Sequence, residues 1–294
     1  MKEIIRKQIL SCLGENQKEF RRIFFGRGRN LPFNIDRLDF RTILITCFEE
    51  IDINSFLFLD FPNIIIQNRY TKPCEIFTLK GELKDSYIVQ ENGISFKVYL
   101  DGNQNIGLFP EMRLLKNFLK EESKGKKVLN MFSYTCSFSV YCALGGAREI
   151  HNIDMMKSAL ERGRENHRLN LIDLKNIYFH KHNIKKSWGL LKRKGPFDLI
   201  IFDPPSAQGK SFTAQSDYQN MLSRLPQLLT REGRAIICLN SPHISYNQLQ
   251  VWASNSLYDM SFERRIDVGP ECYDYGPCES VKIQIWKKNV RTNL

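Results

Sequence analysis

From about residue 110 onward the chain predicts an α/β fold with a doubly wound, mostly parallel sheet. Three observations predict it. Short, fully apolar runs alternate with longer helical patterns. The apolar runs lack the in–out alternation of a half-exposed strand, as strands buried on both faces require. Several runs end on polar or acidic residues where an open sheet binds its ligands.

In chain order, the spacing predicts strands at 127–132, 149–153, 177–180, 197–202 and 235–239. Helices are expected between them at 138–144, 155–169, 185–192 and 214–229. Two runs at 260–267 and 281–287 have no long helix between them, which suits antiparallel pairing at a sheet edge. The first 75 or so residues read as a small mixed unit. It holds a helical pattern over Glu3–Lys18, a basic glycine-punctuated segment around Arg27, Gly28 and Arg29, a strand over 42–48, a short helix near 54–60 and a strand over 63–67. From Glu75 to Leu108 the alternation predicts hairpins, with a turn at Asp101-Gly102-Asn103. The expected organisation is therefore 1–78 as a small α/β domain, 79–110 as a β-hairpin linker and 111–294 as the main domain.

Composition bounds the function classes. The chain has 294 residues, is 42% hydrophobic and 26% charged, and carries a formal net charge of +11. That is an ordinary globular balance, with enough chain for two domains. No apolar run approaches the roughly 18 residues of a spanning helix, and the first residues lack a secretory cleavage pattern. A cytoplasmic protein without a membrane span is expected. The eight cysteines, Cys12, Cys47, Cys74, Cys136, Cys142, Cys238, Cys272 and Cys278, form no C-x-x-C pair. Buried reduced thiols are the expected state. His180 and His182 have no paired cysteines near them, so no metal site is expected. The positive surplus favours a polyanionic partner through counterion release. A generic basic surface explains the charge equally well.

Three strand ends carry chemistry. The run Val128-Leu129-Asn130-Met131-Phe132-Ser133-Tyr134-Thr135 leads into a helix. Asp154 tips the next strand, about 20 residues after that turn, the spacing at which an acid accepts from both ribose hydroxyls. It would also serve as a helix N-cap. Asp203-Pro204-Pro205 ends the fourth strand. Two prolines stop a ladder and fix φ, so Asp203 and the carbonyls after it are held in place; a plain turn uses the same residues. No G-x-G-x-x-G follows the first strand, which argues against a pyrophosphate-bearing dinucleotide. S-adenosylmethionine has a ribose and no pyrophosphate.

The order VLNMFSYTCSFSVYCALGGA, EIHNIDMMKSALERGRENHRLN and FDLIIFDPPSAQGKSF resembles the class I S-adenosylmethionine-dependent methyltransferases. More narrowly it is similar to the bacterial enzymes that methylate 23S ribosomal RNA of the large subunit, with guanine-N7 and cytosine-C5 members. Glu91-Asn92-Gly93 and Gly107-Leu108-Phe109 through Arg113 resemble a lead-in of that group. The likeness covers about residues 85–290, and the first 75 residues resemble its small substrate-side domain less distinctly. It implies a Rossmann-like, seven-stranded sheet, S-adenosylmethionine as cofactor and RNA as partner. Residue by residue, it implies that Asn130 touches the cofactor and that Phe132, Ser133, Tyr134 and Thr135 hold its methionine part. Asp154 would hold the ribose, Met155 would pack on adenine, and Asn183 would touch the adenine amine. Phe109 and Arg113 would close over the cofactor. Asp203, Pro204, Pro205 and Asn240 would face the methyl group and the target base.

Two departures stand out. Cys136-Ser137 replaces the group's glycine pair, which narrows access to φ > 0. Asn183 stands where the group often has Asp, and its amide still accepts. Cytosine C5 needs a thiolate nucleophile, yet Asn240 occupies the aligned position and Cys238 lies two residues earlier. A guanine nitrogen needs only placement against the methyl donor, so guanine is the favoured target. The alternatives are cytosine-C5 chemistry, binding of RNA and cofactor without catalysis, and methylation of a protein or small molecule. Arg27, Arg29, Lys181, Lys185, Lys186 and Lys192–Lys194 are candidate phosphate contacts or a solvated face.

Overall fold

The computed structural model describes residues 3, 7, 19–26, 30–208, 212–241, 244–268 and 281–289. The expected helix over 3–18, Arg27, Gly28, Arg29, His243, Cys12, Cys272 and Cys278 lie outside that set, save positions 3 and 7. The chain divides into two compact units, one running to Arg113 and the other starting at Leu114.

The first unit is built on a five-stranded sheet in sequence order: β1 (Arg21–Phe25), β2 (Phe33–Arg37), β3 (Thr42–Cys47), β4 (Asn63–Asn68) and β5 (Glu75–Lys80). β3 and β4 are parallel, and the other pairs are antiparallel. The expected helix near 54–60 is a 3-10 turn, Ile53–Phe56, capped by Asp52. Ile35, Ile43, Ile45, Ile64 and Ile66 face Phe33 and Phe56 in one apolar core. β6 (Ser86–Glu91) and β7 (Ile94–Tyr99) form a separate hairpin. Its turn is Asn92-Gly93, both at positive φ, and not the expected Asp101-Gly102-Asn103, which follows β7. Asn-Gly supplies the two left-handed residues that a tight hairpin turn demands.

The second unit holds α1 (Arg113–Glu122, starting at the boundary), β8 (Lys127–Met131), α2 (Ser137–Leu144), β9 (Glu149–Asp154), α3 (Lys157–Leu169), β10 (Ile177–Lys181), α4 (Trp188–Lys194) and β11 (Phe197–Phe202). A short hairpin follows, β12 (Ala207–Gln208) with β13 (Phe212–Thr213). Then come α5 (Ala214–Leu222), β14 (Leu229–Leu239), α6 (Tyr246–Ser256), β15 (Met260–Ile266) and β16 (Lys282–Lys288). The helix expected over 214–229 breaks at Ser223, and Pro226 sits in the 3-10 turn Leu225–Leu228 that follows. Proline's missing N–H ends the helical ladder there.

The sheet order is β10-β9-β8-β11-β14-β16-β15. β8 to β11, β14, β9 and β10 run parallel; β16 is antiparallel to both β14 and β15. This is the Rossmann-like, mostly parallel seven-stranded sheet. β8, β11 and the end of β14 are almost wholly buried, because helices cover both faces. The chain steps outward from β8 to β9 and β10, then returns to place β11 on β8's other side. The strand order therefore reverses between β8 and β11, where open sheets bind their ligands.

Candidate active site at the strand switch point

β8 and β11 pair in register up to Met131 and Phe202. The next residues, Phe132 and Asp203, thus leave neighbouring strands at one end of the sheet. The Phe132 ring packs on Phe202 at 5.9 Å and on Phe212 at 5.2 Å.

The loop after β8 is conformationally costly. Phe132, Tyr134 and Cys136 have φ of 57°, 45° and 60°, while Ser133 and Thr135 between them do not have positive φ. None of the three is glycine. Each left-handed residue costs on the order of 1–3 kcal/mol, a cost that persists only where surrounding packing enforces it. The Ser133 N–H donates to the Ile153 carbonyl, and the Tyr134 N–H donates to Asp154 Oδ2 at 2.9 Å. Cys136 adopts the left-handed conformation expected to be hard without glycine. Its room comes from α3: a Cβ on Gly163 would meet Cys136 Sγ at 2.5 Å. Burial pushes the Cys136 thiol up to about 12.

A polar network behind the loop supports it. Asn166 Nδ2 donates to the Thr135 carbonyl at 3.0 Å. His167 Nδ1 lies 2.7 Å from the Gly163 carbonyl and Nε2 lies 2.9 Å from Ser139 Oγ. Burial pulls the His167 pKa down to about 4, so the ring is neutral. A carbonyl only accepts, so Nδ1 carries the proton and the Ser139 hydroxyl donates to Nε2. Asn152 Nδ2 donates to Ser139, and Asn130 Nδ2 donates to Asn152 Oδ1 at 2.9 Å. Asn130 Oδ1 is then left buried without a partner among the described residues.

Asp154 ends β9 and is buried. Its carboxylate accepts from Tyr134 N–H at 2.9 Å and from Met156 N–H at 2.8 Å, with the Met155 N–H as a third backbone donor. A carboxylate has about four acceptor positions, so one remains for a hydroxyl. Burial raises its pKa, and the Met156 and Tyr134 N–H groups pull it back. Asp154 is not the helix N-cap; Met156 holds that position without a side-chain bond. Met155 is half-buried beside it. The His182 N–H donates to the Asp154 carbonyl at 3.0 Å, which brings Asn183 next to β9. The Asn183 amide oxygen already accepts from the Lys185 N–H.

The loop after β11 is fixed differently. Asp203 and Pro205 are half-buried and Pro204 is buried. The Ser206 hydroxyl donates to the Asn240 carbonyl, tying this loop to the exit of β14. Tyr218 OH donates to the Cys238 carbonyl at 2.9 Å, and the buried Lys282 ammonium donates to the Ser241 carbonyl at 2.7 Å. Three side chains thus fasten three carbonyls of the β14 exit. Cys238 is fully buried. Burial, with the Asp203 charge adding to it, pushes its thiol well above the ordinary range.

The second unit therefore gathers Asn130, Phe132, Ser133, Tyr134, Thr135, Asp154, Asp203, Pro204, Pro205 and Asn240 at the ends of β8, β9, β11 and β14, with Met155 and Asn183 flanking Asp154. Phe109 and Arg113 belong to the first unit, and the site described is built from the second alone. Sequence reasoning missed Gly163, Asn166, His167, Phe212, Ser206, Tyr218 and Lys282. Only Gly163 carried a signal, since a glycine inside a helical pattern usually has a packing reason.

A cavity of about 470 Å³ opens at the opposite, amino ends of the strands. Arg148 and Arg234, which line it, are paired with Asp198 and with Glu122 and Glu263. It is a salt-bridged cleft rather than a convergence of catalytic groups. Among the described residues, no cluster of His, Cys, Asp and Glu could hold a metal ion, and no helix is long and apolar enough to cross a membrane.

A family model of S-adenosylmethionine-dependent methyltransferases matches residues 60–287. The chain belongs to that family. Among curated relatives it is similar to the ribosomal RNA large subunit methyltransferase K/L of Shewanella sp. (strain MR-4), 36% identical over 167 residues. That match covers 54% of this chain and 23% of the relative. The protein of the same name from Pseudoalteromonas translucida is 33% identical over 171 residues, covering 56% and 24%. The chain thus spans about a quarter of the length of the curated relatives it matches. Among solved structures, one assigned as a methyltransferase and complexed with SAH superposes with a TM-score of 0.87 at 21% identity, covering 97% of this chain and 79% of that one. An S-adenosylmethionine-dependent methyltransferase from Agrobacterium tumefaciens gives 0.72 at 16%, covering 95% and 92%. At these identities the likeness is one of fold.

The site residues fit the family's cofactor. Asn130 Oδ1 is an unpaired buried acceptor at the end of β8, and the Asp154 carboxylate has one more acceptor position than the three backbone N–H groups around it fill.

Proposed function

We propose that this chain transfers a methyl group from S-adenosylmethionine to RNA, with a guanine nitrogen of 23S ribosomal RNA as the target. One observation carries the reading: the β8 loop, Asp154 and the Asp203-Pro204-Pro205 loop converge at the reversal of strand order between β8 and β11. The names of the curated relatives support the RNA substrate.

The cofactor supplies an electrophilic methyl group on a sulfonium. In this reading Asn130 and the loop residues Phe132, Ser133, Tyr134 and Thr135 hold its methionine end, Asp154 holds the ribose hydroxyls, Met155 packs on the adenine and Asn183 accepts from the adenine amine. Phe109 and Arg113 are assigned to the cofactor, and residues 1–78 to the substrate, with 79–110 as linker. The target base leaves its stack to reach the pocket. Asp203 and the carbonyls beside the two prolines accept from the N–H groups of the base, and Asn240 reads its edge. In-line placement supplies the rate enhancement, so no strong base and no covalent adduct is needed.

Cytosine-C5 chemistry is disfavoured on a specific ground. Asn240 stands at the aligned position, and Cys238 is a buried thiol whose pKa is far too high to yield a thiolate. The reading places the protein in the cytoplasm with ribosomal RNA. Incubation with tritiated cofactor and 23S RNA from a strain lacking the enzyme tests it. Label in a single guanosine after nuclease digestion is expected; label in cytidine or in protein, or none, overturns it.

A further inference from the structure

β10 is an outer edge of the seven-stranded sheet, and it carries a row of aromatic rings that methyl transfer does not use. Tyr178, His180 and His182 alternate along the strand and its exit, so they share a face. His151 of β9 joins them. Its ring lies 4.8 Å from Tyr178 at 20° between planes, and 5.2 Å from His180 at 6°. His180 and His182 are 6.5 Å apart at 28°. The buried base of the row is locked: His151 Nε2 contacts Glu149 Oε1 at 2.6 Å and His151 Nδ1 contacts His180 Nε2 at 2.9 Å. Tyr178 and His182 are exposed at its ends. Burial holds His180 down to about 4, so that ring is neutral near pH 7 and presents a π-face rather than a charge.

Cations flank the row. Between Leu174 and Phe197 the chain holds Lys175, Lys181, Lys185, Lys186, Lys192, Arg193 and Lys194, and no Asp or Glu. Lys194 lies 6.0 Å from the Tyr178 ring centre. Lys185 pairs with Asp217, and Glu149 is engaged by Lys127 and His151. The other cations are exposed and have no carboxylate within salt-bridge distance among the described residues. A merely solvated face mixes both signs. Aromatic rings interleaved with cations of one sign are what a single-stranded nucleic acid needs, with bases on rings and phosphates on cations.

We propose that the β10 edge and the last turn of α4 form a contact surface for a single-stranded segment of the RNA substrate. Tyr178 and His182 offer stacking faces, and Lys192, Arg193 and Lys194 meet phosphates. The surface runs up β10 to His182, beside Asp154, so a strand lying along it leads toward the cofactor end of the sheet. The inference rests on the RNA reading above.

Binding of an unmodified 23S RNA fragment to the full chain, measured across a salt series, tests both. Charge reversal of K192E/R193E/K194E is expected to weaken RNA binding at least thirtyfold and to flatten the log–log salt slope by about 2, from three phosphates at about 0.7 each. Y178A/H182A is expected to weaken it about tenfold with the slope kept, because Lys192, Arg193 and Lys194 stay in place. Both variants should bind SAH like the wild type by calorimetry, which shows that they fold. Wild-type RNA binding with unchanged affinity and slope in the charge-reversal variant overturns the surface and leaves the substrate reading intact. Failure of the wild type to bind RNA overturns both. Polyglutamate competing as well as RNA of equal charge overturns the stacking assignment and marks a protein-facing basic patch.

Discussion

The loop after β8 and the loop after β11 leave neighbouring strands, and they are fixed by different means. The β8 loop bends through three left-handed residues that are not glycine, and a buried network of Asn166, His167, Ser139, Asn152 and Asn130 sustains that shape from behind. The β11 loop is stiff in its own covalent structure. Two prolines set its φ angles, and Ser206 needs only one bond to join it to the β14 exit. Stiffness of the first loop depends on protonation states and packing elsewhere; stiffness of the second is local. Perturbations should therefore separate the two.

The largest effect is expected at the β11 loop. Asp203→Ala should lower kcat on the order of 10³-fold, the scale for losing a preorganised polar group at the reacting centre, with an unchanged melting temperature. A tritium-transfer assay beside a thermal melt checks it, and full activity in that variant removes Asp203 from the chemistry.

Acid should loosen the β8 side and spare the β11 loop. His167 is neutral in the fold, with its pKa at about 4 against 6.5 in the unfolded chain. The unfolded state therefore takes up the proton first, and stability is lost as pH falls from about 6.5 to about 4. A gap of roughly 2.5 units corresponds to about 3 kcal/mol. Urea titrations at pH 7 and 4 should show that slope, and His167→Gln should remove about half of it, because the His180 ring, also held at about 4, titrates over the same range.

Asp154→Ala should weaken SAH binding by about 10- to 100-fold, since hydrogen bonds to a charged group contribute about 1.5–3 kcal/mol. Calorimetry reads it, and equal affinity removes the ribose role. Because burial raises the Asp154 pKa, wild-type SAH affinity should begin to fall at a higher pH than an ordinary aspartate would allow. The smallest effect is at Gly163. Alanine in a helix interior normally stabilises by up to about 1 kcal/mol, but here its methyl group would strike Cys136. Gly163→Ala should instead destabilise by about 1–3 kcal/mol, and adding Cys136→Gly should restore most of the loss. Additivity in that double-mutant cycle would show that the two residues do not press on each other.

The contrast also marks what the sequence could tell. Uninterrupted apolar runs such as 197–202 announce buried parallel strands, and Asp203-Pro204-Pro205 announces a rigid exit, because proline acts through bonds that are local in the chain. The β8 loop was legible only as a place. Its residues suggested a cofactor loop, while Cys136 in the glycine position suggested a weakened one. The compensation lies 27 residues later in a helix, and no local pattern connects Gly163 to it. Asn92-Gly93 was overlooked as the hairpin turn although its signal was local. The pins Tyr218 and Lys282 act on carbonyls reached only through sheet pairing, so no spacing in the chain could announce them.

The hollow on α3 that receives the Cys136 side chain also constrains history. A lineage that exchanged a loop glycine for cysteine needed an unadorned residue at 163 beforehand, because the opposite order passes through an overcrowded ancestor. The two positions should be inherited as a couple, and a graft of the loop into a cousin should succeed only when its helical counterpart travels with it.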